Sequence, residues 1–304
     1  MLPVLPQPID VDASDSRLDI FRGIRDRDLR GGLGLHAIES ERVVRRFLAA
    51  SIRRRTHPIP PIIEPYALLA TREAIDRLGV ILTAFPSLAL FRCINERALH
   101  EVTGYTMHSG AIALGVRHDD ASIATLTACL AREESRAFAS EHISRDVLVA
   151  FDGITQTDNV GAIFRNAASF GARGAILSPT TSDPFLRKTM RVSMGRALNI
   201  PWSRARIDEW PICLDRLRRE QGYTILAAED TADAVPLSTF APPPKALVVF
   251  GAEQAGVSAA VLDLADAVVR IPMSDLAGAL SDDPPSLNVS IASAVVLHHL
   301  LSSH

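Results

Sequence analysis

The chain has 304 residues, 47% of them hydrophobic and 22% charged, which suits one large globular domain or two ordinary ones with a proper core. Its net charge is −3, and residues 1–146 carry 19 residues of each sign, so bulk charge cannot bind nucleic acid and any such contact has to come from local clusters. Cys93, Cys129 and Cys213 lie far apart without CxxC spacing, which excludes a disulfide framework and a zinc cluster and fits a reducing cytoplasm. Met1–Pro6 lacks the basic start of a signal peptide, and apolar runs such as Ala246–Phe250 are far too short to span a bilayer.

In chain order, residues 1–16 read as a loose extension. Ser40–Ile52 is a predicted helix with Val43, Val44, Phe47 and Leu48 on one face. Pro58–Pro65 holds four prolines and is expected as a rigid connector or edge segment. Helices are predicted over Thr71–Leu78 and Ile94–Val102, with short strands at Val80–Thr83 and Ala111–Leu114. A charged helical stretch, Ala121–Glu141, leads to an expected boundary near Ser144–Arg145. This divides the chain into 1–16, a smaller α/β domain over 17–143, and a second domain over 144–304.

Beyond the boundary, Asp146–Phe151 reads as a buried strand, Gly174–Leu177 as a second short strand, and Tyr223–Ala228, Ala246–Phe250 and Ala267–Ile271 as three more strands. Between and after them lie predicted helices: Val160–Phe170 with Gly171 as its C-cap, Pro184–Met194, Ile207–Gln221 and Val289–Leu301. Strands alternating with helices of this length predict an α/β domain with a mainly parallel sheet covered on both faces.

Three segments of this second domain carry polar groups where strands feed helices or loops, the usual ligand edge of such a sheet. In Asp158–Ala168, Asn159 can cap a helix, Gly161 leaves room for backbone approach, and Arg165 follows; taken alone, the segment reads better as a plain cap with a surface arginine. In Val248–Ser258, a strand ends in a loop with Gly251, Glu253 and Gly256, bare backbone on which a flat ligand can lie. It matches neither the dinucleotide nor the P-loop fingerprint, so neither NAD nor ATP is indicated. In the third, Ile271–Met273 precedes Ser286–Ala292, which places Ser286, Asn288 and Ser290 at the positive start of the last helix.

Together the three segments resemble the SpoU (TrmH-like) family of SPOUT RNA methyltransferases. The first family motif is matched by Asn159, Gly161 and Arg165, the second by Gly251, Glu253 and Gly256. The third is matched residue for residue by Ile271–Met273 and Ser286–Ser290. Arg191–Gly195, with Pro201 after it, is similar to the family's connecting segment. More faintly, Glu39–Phe47 and His108–Ala113 resemble the small L30e-like RNA-binding domain that many members carry, more often the rRNA-modifying branch than the compact tRNA enzymes.

The resemblance implies a C-terminal trefoil knot, a homodimer whose active sites are completed across subunits, S-adenosyl-L-methionine as cofactor, RNA as partner, and no metal. It implies transfer to a ribose 2′-hydroxyl. Arg165 would take, relay or electrostatically assist the loss of the hydroxyl proton, and Asn159 would position it. Glu253 would orient the knot loop, and Ser286 and Asn288 would hold the ribose. Gly251, Ile271, Met273 and Leu287 would receive the cofactor. One departure is an insert longer than the family's usual spacing, Ser274–Pro285, with Asp275, Asp282 and Asp283; it reads as a flap over the cofactor mouth.

Two rival functions are weighed. A non-catalytic RNA-binding protein on the same fold is opposed by the intact set of Asn159, Arg165, Glu253, Ser286 and Asn288. A nucleotide-dependent oxidoreductase is opposed by the missing phosphate fingerprint. Arg53–Arg55 reads either as a phosphate clamp or as a solvated run. His298 and His299 read as packing or surface residues, and His36 and His57 have no partner at metal-ligand spacing.

Overall fold

The computed structural model describes residues 5–23, 34–56, 63–104, 110–117, 122–137, 145–274 and 286–302. Most of the insert Ser274–Pro285, most of Pro58–Pro65, His57 and the His108 end of the L30e-like motif fall outside them. So does the path on which the expected knot turns. The chain divides into two compact units: Met1–Asp119 with Phe185–Asn199, and Asp120–Pro184 with Ile200–His304.

In the first unit, strands β1 (Ile9–Val11), β2 (Leu35–Glu39), β3 (Ile63–Thr71), β4 (Ala89–Cys93) and β5 (Ala111–Arg117) form a five-stranded sheet ordered β1-β4-β3-β5-β2. β5 pairs antiparallel with β2 and β3, and the other pairs are parallel. One face packs Val11, Leu18, Phe21, Leu69, Phe91, Leu99 and Leu114 into a core. On the other face lies α1 (Glu41–Thr56), which buries Val43, Val44, Phe47 and Leu48 as its spacing predicts. Gly115 lets it approach: a Cβ there would meet Phe47 Cζ at 2.8 Å and Ile63 Cγ1 at 2.7 Å. Two short helices, α2 (Arg72–Leu78) and α3 (Glu96–Thr103), are capped at their N-termini by Thr71 and Asn95.

Two expectations fail here. Residues 1–16 are not all loose, because Ile9–Val11 pairs with β4 and buries Val11. Val80–Thr83 is not a strand but part of a 3-10 turn, Gly79–Ala84, with Val80 79% exposed. Gly79, at φ +52°, turns the chain out of α2, and a short apolar run alone does not distinguish the two outcomes. Ile63–Pro65, the described end of the proline segment, pair with β5 alone, an edge position as expected, and a register shift follows between Pro65 and Ala67.

The second unit opens with α4 (Ile123–Ala137), placed ahead of the boundary in the sequence reading. It belongs here because Ile123, Leu126 and Leu130 pack with Leu148, Ala150 and Ile176 of the second sheet. The chain continues through β6 (Asp146–Asp152), α5 (Thr157–Phe170) and β7 (Gly174–Leu177), leaves for α6 (Arg187–Val192), and returns as β8 (Trp202–Arg204). It ends with α7 (Ile212–Gln221), β9 (Thr224–Ala228), β10 (Val235–Pro236), β11 (Lys245–Gly251), α8 (Ala259–Leu262), β12 (Ala267–Arg270) and α9 (Val289–Leu301). The seven strands form one sheet, β10-β12-β9-β11-β6-β7-β8, and every pair is parallel.

Central strands β6 and β11 are buried on both faces, which explains their unbroken apolar runs. α4 and α7 join the core on one face. On α5, Phe164 stacks on Phe151 of β6 at 5.0 Å, and α9 packs against α5 and β11. At the start of β6, Asp146 is buried with Arg173 at 2.5 Å and receives the Tyr223 hydroxyl at 2.8 Å.

The excursion between β7 and β8 folds with the first unit. Phe185 lies edge-on to His36 and beneath the Arg117 guanidinium, and Phe185, Met190, Ala197 and Leu198 are all buried. Arg187 pairs with Glu39, Arg46 donates to the Met194 carbonyl, Arg54 to the Leu198 carbonyl at 2.8 Å, and Arg53 to Asn199 Oδ1 at 2.8 Å. Arg55 donates to the Ala84 carbonyl at 2.6 Å and covers the Phe85 ring. The Arg53–Arg55 run is thus neither simply solvated nor held open: each guanidinium binds a protein oxygen.

Candidate active site

The site is assembled at the carboxyl ends of β9, β11 and β12, where a parallel sheet leaves its strand ends open. β11 runs straight into Gly251, and the loop after it folds back so that Ala252 and Gly256 exchange backbone hydrogen bonds of 3.2 and 2.8 Å. Both glycines are obligatory for this turn. A Cβ on Gly251 would stand 2.1 Å from the Gly256 carbonyl carbon. Gly256 has φ +65°, and its Cβ would stand 2.4 Å from Glu229 Oε2. Glu229, just past β9, ties the loop down by accepting the Val257 N–H at 2.7 Å. From the far side Asp152, at the end of β6, accepts the Ser258 N–H at 2.8 Å and the Trp210 indole N–H at 3.1 Å.

The loop encloses a pocket of about 600 Å³, within the ~300–1,000 Å³ usual for small-molecule sites. Phe250, Val257, Leu262, Val269, Ala292 and Val296 give it apolar walls. Gly251, Ile271, Met273 and Leu287 all line it, as do Glu253, Ser286 and Asn288. Glu229 and Asp230 add carboxylates on the β9 side.

At the rim, four side chains from three segments close a hydrogen-bonded ring. Asn288 Nδ2 donates to Asn159 Oδ1 at 3.1 Å and to Glu253 Oε1. Asn159 Nδ2 donates to Gln156 Oε1 at 3.4 Å, and Gln156 Nε2 donates to Glu253 Oε2 at 2.6 Å. Asn288 Oδ1 meanwhile caps α9 by accepting the Ser290 N–H at 2.9 Å. Asn166 fastens α5 to α9 through the Ser290 carbonyl at 2.8 Å and Ser293 Oγ at 2.9 Å.

Asn159, Glu253 and Asn288 therefore meet, while Arg165 does not join them. It is exposed on α5, and among the described residues its side chain makes no ion pair or hydrogen bond. Asn159 is not the N-cap expected for α5: the helix starts earlier, with Gln156 preceding Thr157, and Asn159 is buried in the first turn. Gln156, Asp152 and Glu229 were missed by sequence reasoning. Asp152 and Glu229 end or follow parallel strands, a position that signals the site edge; Gln156 carries no signal of its own. His298 packs edge-on to Phe170 and His299 contacts the Phe240 carbonyl, both away from the pocket lining. No group of metal-ligating side chains occurs among the described residues, and none of their helices is long and apolar enough to cross a membrane.

A parallel α/β domain with a glycine-walled pocket at its strand ends defines a small-ligand-binding class. Residues 146–298 match the SpoU rRNA Methylase family model, and the chain belongs to that family. An uncharacterized tRNA/rRNA methyltransferase of Mycobacterium bovis is 30% identical over 310 residues, spanning 96% of this chain and 92% of the relative. The AdoMet-bound rRNA methyltransferase from Sinorhizobium meliloti has the same fold, with TM-score 0.69 at 20% identity over 96% of this chain and 97% of that one. So does an RNA 2′-O ribose methyltransferase, with TM-score 0.65 at 22% identity over 97% and 98%.

Proposed function

We propose that this chain transfers the methyl group of S-adenosylmethionine to a ribose 2′-hydroxyl of RNA, rRNA rather than tRNA. The observation that carries the reading is the pocket. All four residues assigned to the cofactor line one cavity, and the ring of Asn159, Gln156, Glu253 and Asn288 stands at its rim. The cofactor supplies an activated methyl group on a sulfonium. The residues fit it: a cradle walled by Gly251 and Gly256 that a Cβ would fill, apolar walls for the adenine, and carboxylates for hydroxyl and amino groups.

Glu253 and Asn288 fix the two flanks of the pocket to each other and to α5. Ser286 faces the cavity, free to hold the ribose. Arg165, exposed and without an ion pair or hydrogen bond among the described residues, is suited to bind the RNA phosphate and steady the alkoxide as the 2′-proton leaves. α9 exposes Ile291 (54%) and Val295 (40%), an apolar face suited to a second copy, which would bring each Arg165 to the other subunit's pocket. The first unit serves as an L30e-like RNA-binding domain. A cytoplasmic setting suits the three free cysteines.

Calorimetry with S-adenosylmethionine, beside transfer of labelled methyl to rRNA, tests the reading. Binding with transfer is expected. Binding without transfer would leave only a non-catalytic RNA-binding protein, and no binding would remove the cofactor assignment.

A further inference from the structure

Although the chain as a whole is acidic, one place in it is intensely basic. α1 holds six arginines and a single acid, Glu41. The Phe185–Asn199 excursion holds Arg187, Lys188, Arg191 and Arg196 and no acid. Folding brings these two stretches side by side within the first unit, so ten cations share one structure with one carboxylate of their own.

The register along α1 is fixed by contacts. Arg187 pairs with Glu39 just before the helix, Arg46 reaches the Met194 carbonyl, and Arg53 reaches Asn199. A Cβ on Gly195 would lie 2.9 Å from Val43 Cγ1. The excursion therefore runs alongside the stripe of residues 42, 46 and 53, which successive helical turns align on one face. Arg191 lies on this excursion between Arg187 and Met194, and Arg42 lies on α1 one turn before Arg46. The neighbouring acids are already engaged: Glu39 with Arg187, Glu41 with Arg77 at 2.6 Å and with Arg45. Arg42 and Arg191 are exposed and Arg196 half-buried, and among the described residues the side chains of these three make no ion pair or hydrogen bond.

A fold does not hold like charges together at a surface without cost, and three uncommitted guanidiniums on two adjoining stretches are suited to phosphate. We propose that this ridge, α1 with α6 and the turn after it, is the surface that grips the phosphates of the RNA substrate. The inference rests on the reading of the chain as an RNA methyltransferase and gives that reading a substrate-holding surface. It also means that part of this surface is encoded within the catalytic half of the sequence, not only in residues 17–143.

The test compares full-length wild type, the triple variant Arg42→Gln, Arg191→Gln, Arg196→Gln, and a charge-matched control, Arg206→Gln, Arg216→Gln, Arg219→Gln, whose residues are exposed in the second unit. Binding of a labelled RNA stem–loop is measured by anisotropy across a potassium chloride series, with S-adenosylmethionine affinity and melting temperature alongside. The triple variant is expected to bind RNA at least about ten-fold more weakly, with a salt slope lower by roughly one for each arginine lost, since every phosphate contact releases counterions. Its cofactor affinity and melting temperature should match wild type, and the control should keep both RNA affinity and slope. Equal RNA affinity and slope in triple variant and wild type overturn the ridge while leaving the enzyme reading intact. A wild type that does not bind RNA overturns both.

Discussion

A guanidinium is a charge-stabilising and phosphate-binding group rather than a proton acceptor, which suits Arg165 to an electrostatic role beside a ribose hydroxyl. Its exposed side chain, without an ion pair or hydrogen bond among the described residues, agrees with that role toward phosphate and a developing alkoxide. Arg165→Ala is expected to lower methyl transfer by about 100-fold or more, the usual scale for removing one charge-stabilising donor, with cofactor affinity unchanged because Arg165 is assigned to the RNA and not to the adenosine. Labelled-methyl transfer beside calorimetry checks this; near-normal turnover would remove Arg165 from the mechanism. At this scale the sequence was readable where a residue's chemistry is distinctive. Asn159, Glu253 and Asn288 stood out as polar groups at element ends and do meet. Gln156 did not, because its role depends wholly on Glu253, 97 residues away, reaching it.

The loop after β11 shows an element dictated by missing side chains. Gly251→Ala places a methyl on the Gly256 carbonyl, a backbone atom that cannot swing aside, so the Ala252–Gly256 bridge has to open. The variant is expected to fold, because Gly251 is only the last residue of β11 and the clash lies in the loop beyond it, yet to lose S-adenosylmethionine binding by at least about ten-fold, or about 1.4 kcal/mol. Unchanged affinity by calorimetry would show that the turn does not shape the pocket.

The β7–β8 excursion makes the opposite point. Its helix is readable from sequence, but its allegiance is not, since Phe185, Met190 and Leu198 would suit either core. A chain of residues 120–304 alone would bare these side chains, each worth roughly 1.5–3 kcal/mol when buried. It is expected to aggregate, and replacing Phe185–Asn199 with a short glycine–serine linker is expected to restore a monodisperse species. Light scattering decides; good behaviour of the uncut 120–304 chain would contradict the packing described here. Strands β6, β7, β9, β11 and β12 were legible as short apolar runs between turn residues. β1, β8 and β10, with 3, 3 and 2 residues, are too short to leave a pattern and owe their existence to their neighbours.

Across the molecule, charge and covalent order together hide the design. Net charge −3 conceals a ridge of ten cations, because its two halves are separated by well over a hundred residues. A boundary near Ser144–Arg145 was a natural reading of where the pattern changes, but the chain passes between its units three times, at Asp119, Pro184 and Asn199. What the molecule is for rests on the pocket and on the RNA brought to it. The most direct measurement is nucleoside analysis of rRNA after incubation with the protein and S-adenosylmethionine labelled at its methyl group. Label in a 2′-O-methyl nucleoside, lost in the Arg165→Ala protein, is the predicted result; label on a base, or none in RNA, would contradict the account.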